Sequence, residues 1–172
     1  MLKPFVILTG ASGVGKTSIA QMIEDAHPEI AVFQGDRIGL PPEEIMVNYG
    51  HTDEPGGLAQ RAFALYWIGE IALILKAGKP VLLETQCRIA FLHEGLTLHG
   101  ITTARIILVE CSDFARRTRL HGRGQLELAS QQMSSWSRYL RREAEQFGHE
   151  ILDTSSRTLD ASTAHVLSYF GE

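Results

Sequence analysis

Five short apolar segments recur along the chain, each rich in β-branched residues and each bounded by Gly, Pro, Asp or Ser. They are FVILTG from residue 5, AVF from 31, PVLLE from 80, ARIILVE from 104 and EILDT from 150. Runs of this length and composition predict buried strands. Helical periodicity between them predicts helices over residues 15–26, 57–77, 88–99, 112–121, 129–147 and 159–170. Strands that alternate with helices favour an α/β fold, in which helices cover both faces of a parallel sheet.

The longest apolar stretch, AFALYWIGEIALIL from residue 62, belongs to the second predicted helix. Gly69 and Glu70 interrupt it, and it is shorter than the roughly 20 residues that span a bilayer, so we expect a core helix. Because it is apolar nearly all round, one side also suits a partner interface. Residues 35–57 and 122–132 are less regular, and both leave the sheet edge at which open α/β folds bind ligands.

Composition narrows the class of protein. The 172 residues, 44% of them hydrophobic, suffice for one domain with one substantial core. A net charge of -4 provides no general attraction to nucleic acid or anionic membranes. The two cysteines, Cys87 and Cys111, are too few for a disulfide framework and are expected to be small buried side chains. The N-terminal apolar run is too short for a signal-peptide core, so we expect a cytoplasmic protein.

A glycine-rich sequence, LTGASGVGKTSIA, joins the first predicted strand to the first predicted helix. It fits GxxxxGK[ST], in which glycines let backbone N–H groups turn inward around phosphate oxygens at a helix amino end. We expect Lys16 to reach the β- and γ-phosphates of a nucleotide and Thr17 to bind Mg²⁺. The nucleotide-binding residues predicted here are Gly10, Ala11, Ser12, Gly13, Val14, Gly15, Lys16, Thr17 and Ser18.

Other parts of the chain exclude several classes of nucleotide-binding protein. A GTP-dependent switch needs Asn-Lys-x-Asp, but the one asparagine, Asn48, is followed by Tyr49. The chain has no Leu-Ser-Gly-Gly-Gln signature of transporter ATPases, and no predicted strand ends in the Asp-Glu of motor ATPases. Its acidic composition and lack of a basic stripe also argue against an RNA-directed module.

Three further sequences are FQGDRIG after the second strand, LLETQCR at the end of the third, and RLHGRGQ at residues 119–125. With the glycine-rich loop, they resemble the nucleoside-monophosphate-kinase-like group of P-loop kinases, which includes adenylate, shikimate, gluconate and adenylylsulfate kinases. The resemblance covers essentially the whole chain. It implies a three-layer α/β/α fold with five parallel strands in the order 2-3-1-4-5. It also implies a short helical lid at about 120–132 and an acceptor-binding segment at about 37–57.

FQGDRIG resembles the Gly-Asp that follows this strand in gluconate and adenylylsulfate kinases. The resemblance implies that Asp36 faces the phosphate loop, where a carboxylate can deprotonate an acceptor hydroxyl and hold Mg²⁺ through water. Alternatively, Gly35 and Asp36 only turn the chain and cap a helix. Arg37 either binds the acceptor or is solvated.

LLETQCR keeps the spacing between acid and arginine of the Asp-Gly-Phe-Pro-Arg motif in adenylate kinases. By this resemblance, Glu84 would hold a magnesium-bound water and Arg88 would bind the acceptor. The Gly and Pro of that motif are missing here. A structural ion pair between Glu84 and Arg88 is therefore the alternative.

RLHGRGQ is similar to the Arg-Leu-x-Gly-Arg that opens the lid of adenylate kinases. The resemblance implies that Arg119 stacks on the base and Arg123 contacts the triphosphate, roles that suit planar guanidinium groups on a closing lid. Arginines at 138, 141 and 142 follow on the next predicted helix, where helical spacing prevents all three from facing one site. We expect Arg138 to stabilise charge in the transition state.

The last strand and its loop, ILDTSSRTLD, resemble the Asp-Thr-Ser ending of small kinases. This implies that Ser155 and Arg157 contact the nucleotide, whereas an ordinary strand-to-helix turn is the alternative. The seven histidines show no metal-binding spacing.

The segment between Arg37 and Arg61 contains no lysine or arginine but has four carboxylates. A site for a nucleoside monophosphate would offer cations to its phosphate, so the segment favours a neutral or cationic acceptor. Tyr49 and His51 are suited to hydrogen-bond with hydroxyl groups. Convergence of Arg37, Arg61 and Arg88 in the fold would instead suit an anionic acceptor.

The sequence thus predicts an ATP- and Mg²⁺-dependent kinase that phosphorylates a hydroxyl of a small metabolite. Its predicted catalytic residues are Lys16, Asp36, Arg123 and Arg138. The alternative is a small P-loop ATPase or regulatory nucleotide-binding protein without an acceptor. We expect a monomer or homodimer with no nucleic-acid or membrane partner.

Overall fold

One parallel sheet organises the computed structural model, which describes residues 3–171. Its strands lie in the order β2-β3-β1-β4-β5. The predicted strands and their order are therefore confirmed. The strands are β1 Phe5–Thr9, β2 Ala31–Gln34, β3 Val81–Glu84, β4 Ala104–Glu110 and β5 Glu150–Asp153.

Helices connect the strands, and six of them correspond to the predicted ones. Two short helices, α2 and α3, lie within the segment predicted to be irregular. Glu43 and Glu44 stand in the first turn of α3, where carboxylates interact favourably with the helix dipole. The helices are α1 Lys16–Ala26, α2 Gly35–Ile38, α3 Glu43–Met46, α4 Gly57–Lys76, α5 Ile89–Leu98, α6 Asp113–Gly122, α7 Gln131–Phe147 and α8 Leu159–Leu167.

Capping explains where several helices begin and end. The Ser112 hydroxyl accepts a hydrogen bond from the backbone N–H of Ala115 at 3.1 Å, so Ser112 is the N-cap and α6 begins at the next residue. Ser130 caps α7 in the same way, so this helix begins two residues later than predicted. The helix α8 ends before the predicted residue 170 because its last residues form i to i+3 turns, with Phe170 bonded to Leu167.

The core has two layers because side chains alternate along the central strand. Phe5 and Ile7 of β1 pack towards α4, α5 and α7. Val6 and Leu8 pack on the opposite face, towards α1 and α8. Helix α4 is long and apolar enough to cross a membrane by length and composition. Most of its buried side chains lie in the first layer, as predicted for a core helix, although Leu73 is exposed.

The strand register brings the glycine-rich loop, the Gly35–Asp36 dipeptide and Glu84 to one sheet edge. Leu8, two residues before the glycine-rich loop, pairs with Glu84 at the end of β3. Gln34, just before the Gly35–Asp36 dipeptide, also pairs with Glu84. The ends of β1, β2 and β3 therefore place Asp36, Glu84 and the loop side by side.

Candidate active site

The loop formed by residues 10–17, called the phosphate loop below, has a backbone that only glycine adopts easily. Gly10, Gly13 and Gly15 have φ angles of 149°, 84° and 106°. A Cβ atom on Gly10 would lie 2.2 Å from the carbonyl oxygen of Val109, so the loop lies directly against β4. The GxxxxGK[ST] pattern therefore has a geometric reason in addition to its match to a motif.

Lys16 and Glu84 form a buried charged pair beside this loop. Lys16 Nζ donates to the carbonyl of Ala11 at 2.9 Å and lies 3.8 Å from Glu84 Oε1, with both side chains almost fully buried. Burial lowers the pKa of Lys16, although Glu84 and Asp36 oppose that shift. Burial also raises the pKa of Glu84, against the effect of Lys16. Shifted pKa values in a buried charged pair are common at binding and catalytic sites, so this pair marks a candidate site.

The oxygen atoms around Thr17 suit a magnesium ion. The Thr17 hydroxyl lies 3.5 Å from Glu84 Oε1. Both residues line a cavity of about 100 Å³, the loop cavity, together with Lys16, Asp36 and Arg123. Within the described residues no cluster of three or more His, Cys, Asp or Glu side chains could hold a metal. A Mg²⁺ ion here would therefore take its remaining ligands from phosphate oxygens and water, as this ion commonly does.

Asp36 separates the loop cavity from a second cavity. The short helix α2 presents this residue at the end of β2, beside Glu84. The second cavity, called the α4 cavity, measures about 310 Å³ and is also lined by Leu40, Gln60 and Phe63. Asp36, Glu84 and Gln86 belong to the walls of both cavities. A carboxylate thus stands where the two spaces meet.

The arginines predicted to bind the acceptor are engaged elsewhere. Arg37 pairs with Glu24 on α1. Arg61 pairs with Glu94 on α5 and also donates to the carbonyl of Tyr49. These two arginines, like Arg88, are absent from the described lining of the α4 cavity. The convergence that would suit an anionic acceptor is therefore not observed.

Arg88 does not pair with Glu84, which was the alternative suggested by their spacing in the sequence. Its Nε atom donates to Glu143 Oε1 at 2.6 Å, and its Nη1 atom pairs with Glu54. Glu84 instead pairs with Lys16. The alternative of an ion pair between Glu84 and Arg88 is wrong, because each side chain pairs with a residue on another element.

Tyr49 and His51 lie away from Asp36. Tyr49 ends a short 3-10 turn, and His51 is 80% exposed in a pair with Asp53. Neither lines the α4 cavity or the loop cavity as described. In the acceptor segment, Gly39 and Leu40 line the α4 cavity instead.

The two predicted lid arginines lie beside the phosphate loop and the start of α1. Arg119 is tied to Thr154 by hydrogen bonds of 2.9 and 2.7 Å, and to the carbonyl of Val14 at 3.2 Å. Arg123 has a looser contact, 3.2 Å from Nη2 to the Ser18 hydroxyl. Both line a cavity of about 280 Å³, the α8 cavity. Arg123 also borders the loop cavity, so it spans the space between them.

The two residues predicted in the last loop have different positions. Arg157 lines the α8 cavity. Ser155 is a structural link: its hydroxyl accepts from the backbone N–H of Ser112 at 2.8 Å and donates to Asp153 at 2.6 Å. These bonds join the loops after β4 and β5, and Ser155 is not among the described residues of that cavity.

Helix α7 presents a different arginine from the one predicted. Arg138 donates to Ser135 on its own helix and lines none of the cavities around the phosphate loop in the described structure. Arg141 pairs with Glu110 and Glu145. Arg142 lines a further cavity beside Gln86. Arg138 therefore lies outside these cavities in the described structure, and Arg142 is an arginine of α7 that lines one.

Three site residues were not singled out from the sequence. Gln86 lies within LLETQCR and reaches 3.4 Å from the Ser12 hydroxyl. Gln60 accepts from the backbone N–H of Arg88 at 2.9 Å. Thr154 is buried and follows the alternation that buries Leu152. That period-2 pattern is the one sequence signal that would have identified Thr154, whereas no local pattern distinguishes the glutamines.

Comparisons with known proteins agree on the fold. No protein-family model matches the chain, and no curated protein matches it in sequence. A gluconokinase from Sinorhizobium meliloti 1021 matches with 17% identity and a TM-score of 0.63, covering 98% of this chain and 92% of its own. A shikimate kinase from Acinetobacter baumannii, in complex with shikimate, has 16% identity and a TM-score of 0.60, with coverages of 98% and 92%.

A third solved structure extends this set. The Deinococcus radiodurans tunicamycin resistance protein has 18% identity and a TM-score of 0.64, covering 98% of this chain and 96% of its own. At these identities the likeness concerns the fold. The chain therefore has the three-layer α/β fold of this group of P-loop kinases, and the resemblance predicted from its sequence is confirmed at that level.

Proposed function

We propose that the protein is an ATP-dependent kinase that transfers the γ-phosphoryl group to a hydroxyl of a small molecule. The observation that carries the proposal is the position of Asp36. This carboxylate lines both the loop cavity, beside Lys16 and Thr17, and the α4 cavity. Phosphoryl transfer needs a base within hydrogen-bond reach of the acceptor hydroxyl, beside the line of attack on the bound phosphate, and a carboxylate that lines both cavities is suited to that role.

The phosphate loop would bind the triphosphate. Lys16, released from the carbonyl of Ala11, would contact the β- and γ-phosphates, whose negative charge would add to that of Glu84 beside the buried ammonium. Arg123 would contact the same phosphates, because it lines both the loop cavity and the α8 cavity. Arg119 and Arg157 would border the base in the α8 cavity.

A magnesium ion fits the oxygen atoms at the loop cavity. Thr17 would bind it directly, and Asp36 and Glu84 would hold it through water. When bound, such an ion neutralises charge on the phosphate oxygens.

The reacting end of the acceptor is neutral or cationic in this proposal. The described lining of the α4 cavity includes Asp36 and Glu84 but neither lysine nor arginine. Negative potential of this kind disfavours an anionic group next to the reacting hydroxyl. Polar side chains such as Gln60 and Thr85 are available to hydrogen-bond with hydroxyl groups.

The test is ATP consumption measured over a set of small hydroxyl compounds, with Lys16→Ala as the blank. We expect at least one compound to raise turnover above that blank. Asp36→Asn should abolish acceptor phosphorylation while ATP still binds, because the substitution removes the base but leaves the phosphate loop intact.

Asp53→Asn is the matched control, since Asp53 is an exposed carboxylate of the same segment. It should retain the parent rate. Basal ATP hydrolysis that no compound stimulates would favour an ATPase without an acceptor. Transfer by Asp36→Asn at the parent rate would remove Asp36 from the role of base.

A further inference from the structure

The α4 cavity continues into a larger cavity beside helix α7. This α7 cavity measures about 640 Å³. It shares Gln60 and Gln86 with the α4 cavity, so the two spaces have a common wall. A molecule with its hydroxyl at Asp36 can therefore extend past these glutamines towards α7.

An aromatic pair lines one side of the α7 cavity. The rings of Trp136 and Tyr139 stack with centroids 5.4 Å apart and planes 7° from parallel. Both side chains are half-buried in the core, and both line the cavity beside Met133 and Pro55. Their packing holds the rings in place, which favours stacking of a flat ring at little entropic cost.

The charge of this cavity is opposite to that of the α4 cavity. Arg142 lines it, and no carboxylate belongs to its described lining. Arg142 lies 6.0 Å from the centre of the Tyr139 ring and forms no ion pair within residues 3–171. The neighbouring Arg141, by contrast, pairs with both Glu110 and Glu145. An unpaired guanidinium next to aromatic rings is suited to an anionic group on a ring-bearing ligand.

We propose that the acceptor of this kinase is an elongated compound with a flat ring and an anionic group at the end remote from the reacting hydroxyl. This inference rests on the proposed function. The hydroxyl end lies at Asp36, the ring packs on Trp136 and Tyr139, and a carboxylate or phosphate binds Arg142. The separation of charges matches the two cavities, because Asp36 and Glu84 repel an anion at the near end and Arg142 attracts one at the far end.

Binding of three glucosides to the protein, saturated with ADP and Mg²⁺, tests the site by calorimetry without relying on turnover. The probes are methyl, phenyl and 4-carboxyphenyl β-D-glucopyranoside, which add the ring and then the anion. We expect affinity to rise at each step, with a gain of roughly tenfold from the carboxylate, the size of a charge-assisted contact. A phenyl glucoside with a 4-phosphate in place of the carboxylate distinguishes the two anions.

Three variants on α7 separate the contribution of the anionic group to binding from that of the ring. Arg142→Gln should remove the gain from the anion, whereas Arg141→Gln, on a different face of α7, should leave it unchanged. Trp136→Leu should remove the gain from the ring. The inference would be overturned if the three glucosides bound with equal affinity, or if none bound at millimolar concentration. It would also be overturned if Arg142→Gln bound the 4-carboxyphenyl glucoside as tightly as the parent does.

The same compounds, incubated with ATP, distinguish this inference from the proposed function. Phosphorylation of hydroxyl compounds regardless of ring or anion would refute the inference and leave the kinase assignment intact. Selective binding at Arg142 without phosphorylation of any hydroxyl compound would support the site and refute the kinase assignment.

Discussion

Arg88 and Glu143 join the loop after β3 to helix α7. Arg88 Nε donates to Glu143 Oε1 at 2.6 Å, and Glu143 Oε2 accepts from the backbone N–H of Ile89 at 2.8 Å. One buried carboxylate therefore holds the arginine and also satisfies an N–H at the start of α5. The guanidinium further lies 5.3 Å from the centre of the Phe91 ring. These contacts give Arg88 a structural role.

Glu143→Gln should destabilise the fold by about 3 kcal/mol, because it leaves a largely buried arginine without its buried counter-charge and with only the exposed Glu54 as a partner. Urea denaturation measures the change. Glu145→Gln, which alters an exposed carboxylate of the same helix, should cost less than about 1 kcal/mol. The double variant Arg88→Met/Glu143→Leu should be more stable than Glu143→Leu alone. If Glu143→Gln left stability unchanged but weakened acceptor binding, Arg88 would be an acceptor-binding residue rather than a structural one.

Gly10→Ala should destabilise the protein by more than about 2 kcal/mol, since positive φ and a close backbone contact both oppose a side chain. The contact is the 2.2 Å approach to the carbonyl oxygen of Val109, which the rigid sheet cannot relieve. Gly78→Ala is the control, because Gly78 has a φ of 86° but no atom within 4 Å of an added Cβ. It should show only the conformational cost, about 1 kcal/mol. Equal losses of stability for the two variants would mean that the contact with β4 is unimportant.

The decline of kcat/KM at low pH should reflect protonation of Glu84. Burial raises the pKa of this carboxyl above the ordinary value of 4.5, so it becomes neutral at a higher pH than an exposed glutamate does. Activity that needs the carboxylate should therefore decline as pH falls through that raised pKa. In Glu84→Gln, which has no carboxyl to protonate, this decline should no longer occur at the pH seen in the parent, and the rate should be lower. A decline that stays unchanged in that variant would assign it to another group.

The raised pKa of Glu84 also makes the stability of the fold depend on pH. Because the pKa of Glu84 is raised in the fold, its contribution is fully present below the unfolded pKa and is lost as pH rises through the folded pKa. The ionised carboxylate therefore costs stability at neutral pH, a cost that Lys16 partly offsets. Thermal unfolding of the parent and of Glu84→Gln across the acid range measures this dependence.

Arg123→Gln should lower kcat by roughly 10² with little change in stability, since the one described hydrogen bond of its side chain, to the Ser18 hydroxyl, is long. Arg119→Gln should act differently, because it breaks the bonds to Thr154 and Val14 that join the phosphate loop to the end of β5. It should lower the melting temperature and raise KM for ATP. Arg117→Gln, an exposed change on the same helix, is the control for both.

A fall in stability rather than kcat for Arg123→Gln would make Arg123 a structural residue. Unchanged stability for Arg119→Gln would mean that Thr154 holds the loop without it.

The fold was predictable because its signals are local. Strand composition, helical periodicity and the glycine-rich loop each lie within a few consecutive residues, and the loop acts as one contiguous piece of backbone. The strand order followed from resemblance to kinases. The short helices α2 and α3 were missed because four residues are too few to show a helical period.

The sequence by itself determined the phosphate loop and the five strands, and its resemblance to kinases implied that Asp36 and Glu84 lie beside that loop. Only the tertiary structure decided which charges pair, because a long arginine side chain takes its partner from any element within reach. Arg37, Arg61 and Arg88 thus bind carboxylates on α1, α5 and α7.

The tertiary structure also decided which arginine of α7 lines a cavity. Successive helical residues point about 100° apart, so a shift of one position between Arg141 and Arg142 separates a structural ion pair from a cavity wall.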